Sequence, residues 1–112
     1  MITIWHNPRC SKSRQTLALI EGKGDITVRR YLEDSPSEEE IRLALKSLGI
    51  SAVELMRVKE KRFKELELSK TDPEEVLVAA MVANPVLIER PVVFAGDKAA
   101  IGRPPEQVLD IL

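Results

Sequence analysis

Hydrophobic and polar positions divide the chain into two β-rich ends around a helical middle. Ile2-Thr3-Ile4-Trp5 is short, β-branched and aromatic, and it stops at the turn signal His6-Asn7-Pro8, which predicts a buried strand. The polar loop of residues 7–13 leads into a helical pattern with apolar residues at Leu17, Ala18 and Ile20 and a stop at Gly22 and Gly24. Residues 26–31 return to an alternation of period two. Strand, helix of about three turns and strand make a βαβ unit, with a connection long enough for parallel pairing.

The middle changes character. Ser35-Pro36-Ser37-Glu38 and Ser37-Glu38-Glu39-Glu40 both fit the capping-box pattern, so a helix is predicted to begin here and to run through Ile41, Leu45 and Leu48 to Gly49. Asp72-Pro73-Glu74-Glu75 predicts a capped start for a later apolar helix that ends near Ala83-Asn84-Pro85. Residues 52–57 and the charged stretch 59–66 read as short helices. Residues 35–88 are therefore expected to be a helical block without a strand.

Pro91-Val92-Val93-Phe94 reads as a strand, Gly96-Asp97 as a turn, and Ala99-Ala100-Ile101 as an antiparallel partner. Gly102-Arg103-Pro104-Pro105-Glu106 breaks that strand and begins a final helix carrying Val108, Leu109, Ile111 and Leu112. The order β-α-β, helices, β-β-α is that of an α/β, thioredoxin-like fold with a helical insertion between its βαβ and ββα units. No repeat, low-complexity tract or linker interrupts it, and residues 1–112 are expected to form a single domain.

Composition narrows the chemistry. Of 112 residues, 17 are Lys or Arg and 18 Asp or Glu, for a net charge of −1, which argues against a nucleic-acid partner. The single cysteine excludes an internal disulfide, and one Cys with one His falls short of the ligands of a usual zinc site. The longest apolar run, residues 76–83, is far short of the ~20 residues that span a bilayer. The apolar start is interrupted by His6-Asn7-Pro8, so neither membrane nor export is expected and the predicted location is cytoplasmic.

Net charge conceals a local excess. Arg9, Lys12 and Arg14 surround Cys10, and no acid precedes Glu21. Cys10 falls where the first strand hands over to the first helix, where backbone N–H groups and the helix dipole favour thiolate over thiol and would also hold an oxyanion. A cysteine can equally be a small buried hydrophobe, but a polar loop flanked by charges is the wrong setting for inert burial. Cys10-Ser11-Lys12-Ser13 is a C-x-x-S, lacking the resolving thiol of a C-x-x-C, so an adduct on Cys10 must be cleared by an outside thiol. The C-x5-R loop of small tyrosine phosphatases would need Arg at position 16, which is Thr16.

His6-Asn7-Pro8-Arg9-Cys10-Ser11-Lys12-Ser13-Arg14 resembles the H-N-P-x-C-x-x-S-R motif of ArsC-type, glutaredoxin-coupled arsenate reductases, and most closely a less characterised branch with an N-P-R-C-S-K-S-R loop. The likeness continues in Tyr31-Leu32-Glu33, Leu55-Met56-Arg57, Asn84-Pro85-Val86-Leu87-Ile88-Glu89-Arg90-Pro91-Val92-Val93 and Gly102-Arg103-Pro104-Pro105-Glu106. The resemblance implies a catalytic set of Cys10 as nucleophile, with His6 and Ser13 lowering its pKa. It implies a substrate-binding set of Arg57, Arg90 and Arg103 with the loop residues Asn7 and Arg14. Arginine suits that role because its permanently charged planar fork meets tetrahedral oxyanions with paired hydrogen bonds. Pro91 matches a cis-proline of the family.

The implied function is reduction of arsenate to arsenite through a Cys10 thiol-arsenate adduct, with no bound cofactor. Glutathione serves as co-substrate and glutaredoxin as protein partner. Two alternatives share the fold: a non-catalytic Spx-like protein linked to transcription, and a monothiol glutaredoxin-like thiol transferase. Spx proteins sense oxidants through a C-x-x-C pair, which this chain lacks.

Overall fold

A computed structural model describes residues 1–112. The chain divides into two compact units, one of residues 1–34 with 90–112 and the other of residues 35–89.

The first unit is a four-stranded sheet of order β2-β1-β3-β4, built from β1 (Ile2–Trp5), β2 (Ile26–Arg29), β3 (Val92–Ala95) and β4 (Lys98–Ile101). β1 pairs parallel to β2, with Ile4 opposite Val28, and antiparallel to β3, with Ile4 opposite Val93. Helix α1 (Ser11–Ile20) makes the parallel crossover. Alternation sends Ile2, Ile4 and Val93 to one face, where they join Ile20 of α1 and Val108 in a buried cluster edged by Leu17, Ile26, Ala100 and Ile111. The other face carries Trp5 and, diagonally, Phe94, with ring centroids 4.9 Å apart. This parallel-then-antiparallel sheet, with α1 and the C-terminal helix packed on each other, is the thioredoxin-like arrangement.

The second unit holds α2 (Glu38–Leu48), α3 (Ala52–Leu55), α4 (Lys61–Glu65), α5 (Glu74–Ala83) and a 3₁₀ turn, Pro85–Leu87. Ser37 caps α2: its hydroxyl accepts from Glu40 N at 3.1 Å while Glu40 Oε1 accepts from Ser37 N at 2.9 Å. Gly49 ends the helix at φ +68°, a left-handed conformation that favours glycine, and donates its N–H to Leu45 O. Ile41, Ala44 and Leu45 of α2 are buried, as are Leu77, Val78 and Met81 of α5. No helix is long and apolar enough to cross a membrane.

Several expectations need correction. α5 has no box with Asp72: Pro73 is its N-cap, and Asp72 Oδ2 instead accepts from Ser69 N at 2.9 Å, closing the preceding turn. The final helix, expected as α, is 3₁₀ over Pro105–Ile111. The alternation after Ile26 stops at Arg29, and Val28 is exposed because β2 is an edge strand. In α1 the inward residues are Ser13, Thr16 and Ile20, while Ala18 is exposed. The helical block also contains an isolated antiparallel bridge between Met56 and Ile88.

Candidate active site

Cys10 is the N-cap of α1, half-buried, with an extended backbone at φ −96° and ψ 125°. Its N–H donates to Asn7 O and its carbonyl accepts from Arg14 N, each at 3.0 Å, so the loop closes a turn immediately before the helix begins. Arg103 Nη2 reaches Cys10 Sγ at 3.7 Å, while Arg103 Nε donates to the Arg90 carbonyl at 2.8 Å. One guanidinium is thereby anchored at its neck and offered to the sulfur at its tip.

Burial pushes the Cys10 thiol up, but it is outweighed by the Ser13 N–H, the Arg90 charge, the Lys12 N–H and the Arg103 charge, so the thiol ionises below its usual range. The cause is the combination anticipated from position: orphan N–H groups at a helix start and nearby fixed cations. The cations, however, are Arg90 and Arg103, distant in sequence, and not the charges of Arg9, Lys12 and Arg14 in the local loop, from which Lys12 contributes its backbone N–H. A thiolate in this setting is a competent nucleophile, and the charges that stabilise it are equally suited to a small anion approaching the sulfur.

Behind the cysteine, Ser13 is fully buried. Its Oγ lies 2.6 Å from His6 Nδ1 and accepts from Asn7 N at 3.0 Å, joining the end of β1, the loop and α1. His6 is also buried, and burial, followed by the charges of Arg30 and Arg14, lowers its pKa and keeps the ring neutral. With a neutral ring, the serine hydroxyl donating to Nδ1 satisfies both partners, leaving the oxygen lone pairs to Asn7 N–H.

The other expected residues are held in different ways. Asn7 Oδ1 accepts from Arg9 N at 3.0 Å, and Arg14 Nη1 donates to Pro8 O at 3.0 Å, so both side chains shape the loop. Arg57 lies in the helical unit: its backbone N–H donates to Leu87 O at 2.8 Å beside the Met56 bridge, and its guanidinium pairs with Glu60 at 3.0 Å and bonds Val86 O at 3.3 Å. The structure thus brings Cys10, Arg90 and Arg103 together, and His6 with Ser13. The Arg90–Pro91 bond is cis, in accord with the resemblance at Pro91, and so is Arg103–Pro104.

Sequence reasoning missed Arg30 and Thr16. Arg30 acts on His6 because parallel pairing carries β1 and β2 side by side, with His6 N bonded to Arg29 O at 2.8 Å; no local motif signals this. Thr16, fully buried, turns its hydroxyl back to Lys12 O at 2.8 Å.

Comparison with known proteins agrees with this geometry. Residues 5–111 match the ArsC family. The chain is 54% identical to the uncharacterised Escherichia coli K12 protein YfgD, covering 99% of this chain and 96% of that one. It is 47% identical to the Haemophilus influenzae protein named arsenate reductase, covering 99% and 98% respectively. The solved structure of arsenate reductase from Vibrio cholerae superposes with a TM-score of 0.94 at 49% identity, covering 99% of this chain and 97% of that one. With a family match over nearly its whole length and a cysteine flanked by two arginines at its core, the chain belongs to the ArsC family.

Proposed function

We propose that the protein is an oxidoreductase that reduces arsenate to arsenite. The observation that carries this reading is Cys10 at the start of α1 with its thiol held below the usual range and Arg103 at 3.7 Å from the sulfur. Cys10 thiolate attacks the arsenic of arsenate, an oxygen leaves as water, and a Cys10–S–As(V) adduct results. Arg90 and Arg103 take the charge of the oxyanion, a role in which the resemblance also includes Arg57; His6 and Ser13 hold the loop that carries the thiolate. Glutathione then attacks the arsenic of the adduct and a second oxygen leaves as water; a glutaredoxin thiolate attacks the glutathione sulfur, breaking its bond to arsenic, so that the mixed disulfide departs and the bonding pair stays on arsenic. Those two thiols supply the two electrons that convert As(V) to As(III). Hydrolysis of the Cys10–As(III) bond releases arsenite and returns the thiolate.

The lone cysteine supports this sequence of donors, since no second thiol in the chain is available to resolve the adduct. We read residues 1–112 as one thioredoxin-like domain, because the sheet unit is assembled from both ends of the chain and the helical unit interrupts it. We also assign it to the branch with the Asn7-Pro8-Arg9-Cys10-Ser11-Lys12-Ser13-Arg14 loop, acting in the cytoplasm, where glutathione keeps thiols reduced. The test supplies purified protein with arsenate, glutathione, glutaredoxin, glutathione reductase and NADPH. Arsenate-dependent NADPH oxidation that requires both glutathione and glutaredoxin is expected; none at any arsenate concentration defeats the proposal.

A further inference from the structure

Gly102 is buried where the chain leaves β4, between Thr16 of α1 and Pro91 at the entrance to β3. A Cβ at this position would overlap Thr16 Oγ1 and stand 2.8 Å from Pro91 Cγ and 3.1 Å from Thr16 Cγ2. Neither neighbour is the loose end of a flexible side chain. Thr16 is fully buried with its hydroxyl bonded to Lys12 O at 2.8 Å, and Pro91 is a buried ring whose carbonyl accepts from Gly102 N at 3.0 Å. The backbone of Gly102 is not left-handed, so glycine is demanded here by space.

The residues adjoining this contact belong to the thiol site. Arg90 precedes Pro91, Arg103 follows Gly102, and Arg103 Nε bonds the Arg90 carbonyl, so the two arginine-bearing segments move as one. Thr16 lies in the second turn of the helix that Cys10 caps. At Gly102 the segment that carries Arg103 comes against Thr16 of that helix with no room for a Cβ.

We propose that Gly102 and Thr16 are a positioning pair, whose close approach sets the distance from the Arg90 and Arg103 segments to α1 and hence from their charges to the Cys10 sulfur. Coulombic energy varies inversely with separation, and a guanidinium donating to sulfur at 3.7 Å has little tolerance for displacement before the hydrogen bond is lost. A side chain at position 102 wedges the segments away from the helix. The proposal rests on reading Cys10 as the attacking thiolate and the two arginines as its anion-binding charges.

Its test measures Cys10 ionisation directly, by ultraviolet thiolate absorbance and the pH dependence of iodoacetamide alkylation, with and without arsenate. Gly102→Ala is expected to raise the thiol pKa by about half a unit or more, which leaves roughly threefold less thiolate at pH values below both midpoints. It should also weaken protection of the thiol by arsenate. Thr16→Ala alone should leave the thiol as it is, and Gly102→Ala combined with Thr16→Ala should bring it most of the way back to the wild-type value, because the overlap with Thr16 Oγ1 and the contact with Thr16 Cγ2 are gone and only Pro91 Cγ is left to yield. An unchanged thiol pKa in folded Gly102→Ala, or a raised one that Thr16→Ala does not reverse, overturns the proposal. If Gly102→Ala alone does not fold, the double variant decides: folding with a thiol pKa close to the wild-type value supports the pair, and an unfolded chain or a clearly raised pKa overturns it, since Pro91 and not Thr16 would then be the obstacle. A wild-type Cys10 that titrates at the usual thiol value without protection by arsenate overturns instead the reading beneath.

Discussion

Helices α1 and α5 have the same length, ten residues, and bury opposite kinds of surface. α5 turns inward Leu77, Val78 and Met81; α1 turns inward Ser13, Thr16 and Ile20. Together with His6, and apart from aromatic side chains such as Tyr31, those two hydroxyl residues are the buried polar residues of the chain, and all three lie in the sheet unit. Burying a hydroxyl gives up the transfer free energy of an apolar residue and obliges it to find a hydrogen-bond partner. Each has one: Ser13 with His6 and Asn7 N, Thr16 with Lys12 O. α5 is built for burial, and α1 gives up burial to fix a loop and a cysteine. The two units differ accordingly in what a mutation should damage.

The largest effect separates them outright. Cys10→Ser should retain the fold and lose arsenate turnover by at least about a thousandfold, since a serine hydroxyl at neutral pH cannot replace a thiolate nucleophile. Residual turnover near the wild-type rate would remove Cys10 from the chemistry. Met81→Ala is its counterpart in the helical unit: Met81 is fully buried, and truncation should cost about 2–5 kcal/mol in urea unfolding. The surviving folded protein should keep the wild-type pH profile of Cys10 alkylation. A shifted profile would break the division of labour between the two helices.

That division also explains what was legible in the sequence. The apolar run of α5 and the alternation of β1 announce themselves because burial drives both. α1 is announced by its glycine stop, but its inward face is not, since Ser13 and Thr16 look like solvent-facing residues and Ala18 looks like core. Cys10 was readable from its place at a helix start, while the loop charges that also drew attention to it, Arg9, Lys12 and Arg14, are not the ones that depress its pKa. The ordered motifs pointed to Arg90 and Arg103, but that both charges act on Cys10 depends on the pairing of β1 with β3 and on the Arg103–Arg90 hydrogen bond, which are long-range. Arg30 beside His6 and the tight seat of Gly102 were hidden for the same reason. Asp72 misled because the S/T/D-x-x-E pattern is satisfied by spacing alone, while the carboxylate had a nearer donor in Ser69 N.

A smaller effect contrasts one arginine from each unit. Arg103→Ala removes a guanidinium in contact with the sulfur and should raise the Cys10 pKa and lower kcat/KM for arsenate by about tenfold or more, equivalent to ~1.4 kcal/mol. Arg57 is paired with Glu60 and is not among the charges that depress the thiol. Arg57→Ala should therefore leave the alkylation profile in place and act through KM for arsenate. Equal shifts of the thiol pKa in the two variants would erase the distinction.

The smallest effect comes from the buried imidazole, and its sign follows from the direction of the His6 shift. His6 is held neutral by burial and by Arg30 and Arg14, so its folded pKa lies below the unfolded value of about 6.5. Above that unfolded value both states carry a neutral ring and the group adds no pH dependence. As pH falls through it, the unfolded chain takes up a proton that the folded chain refuses, and stability declines until the folded pKa is reached. The slope contributed by one proton is at most about 1.4 kcal/mol per pH unit. Carboxylates titrate near the lower end of the same range, so the informative quantity is the difference between wild type and His6→Asn in urea unfolding at several pH values. That difference should change with pH only below about 6.5 and level off again once folded His6 is protonated. The buried face of α5 has no titratable group, so removing Met81 instead should shift the whole stability curve without altering its shape. A difference curve for His6→Asn that is flat from neutral pH downward would mean that the ring is not held neutral, and the Ser13–His6 contact would then be an imidazolium donating to the hydroxyl.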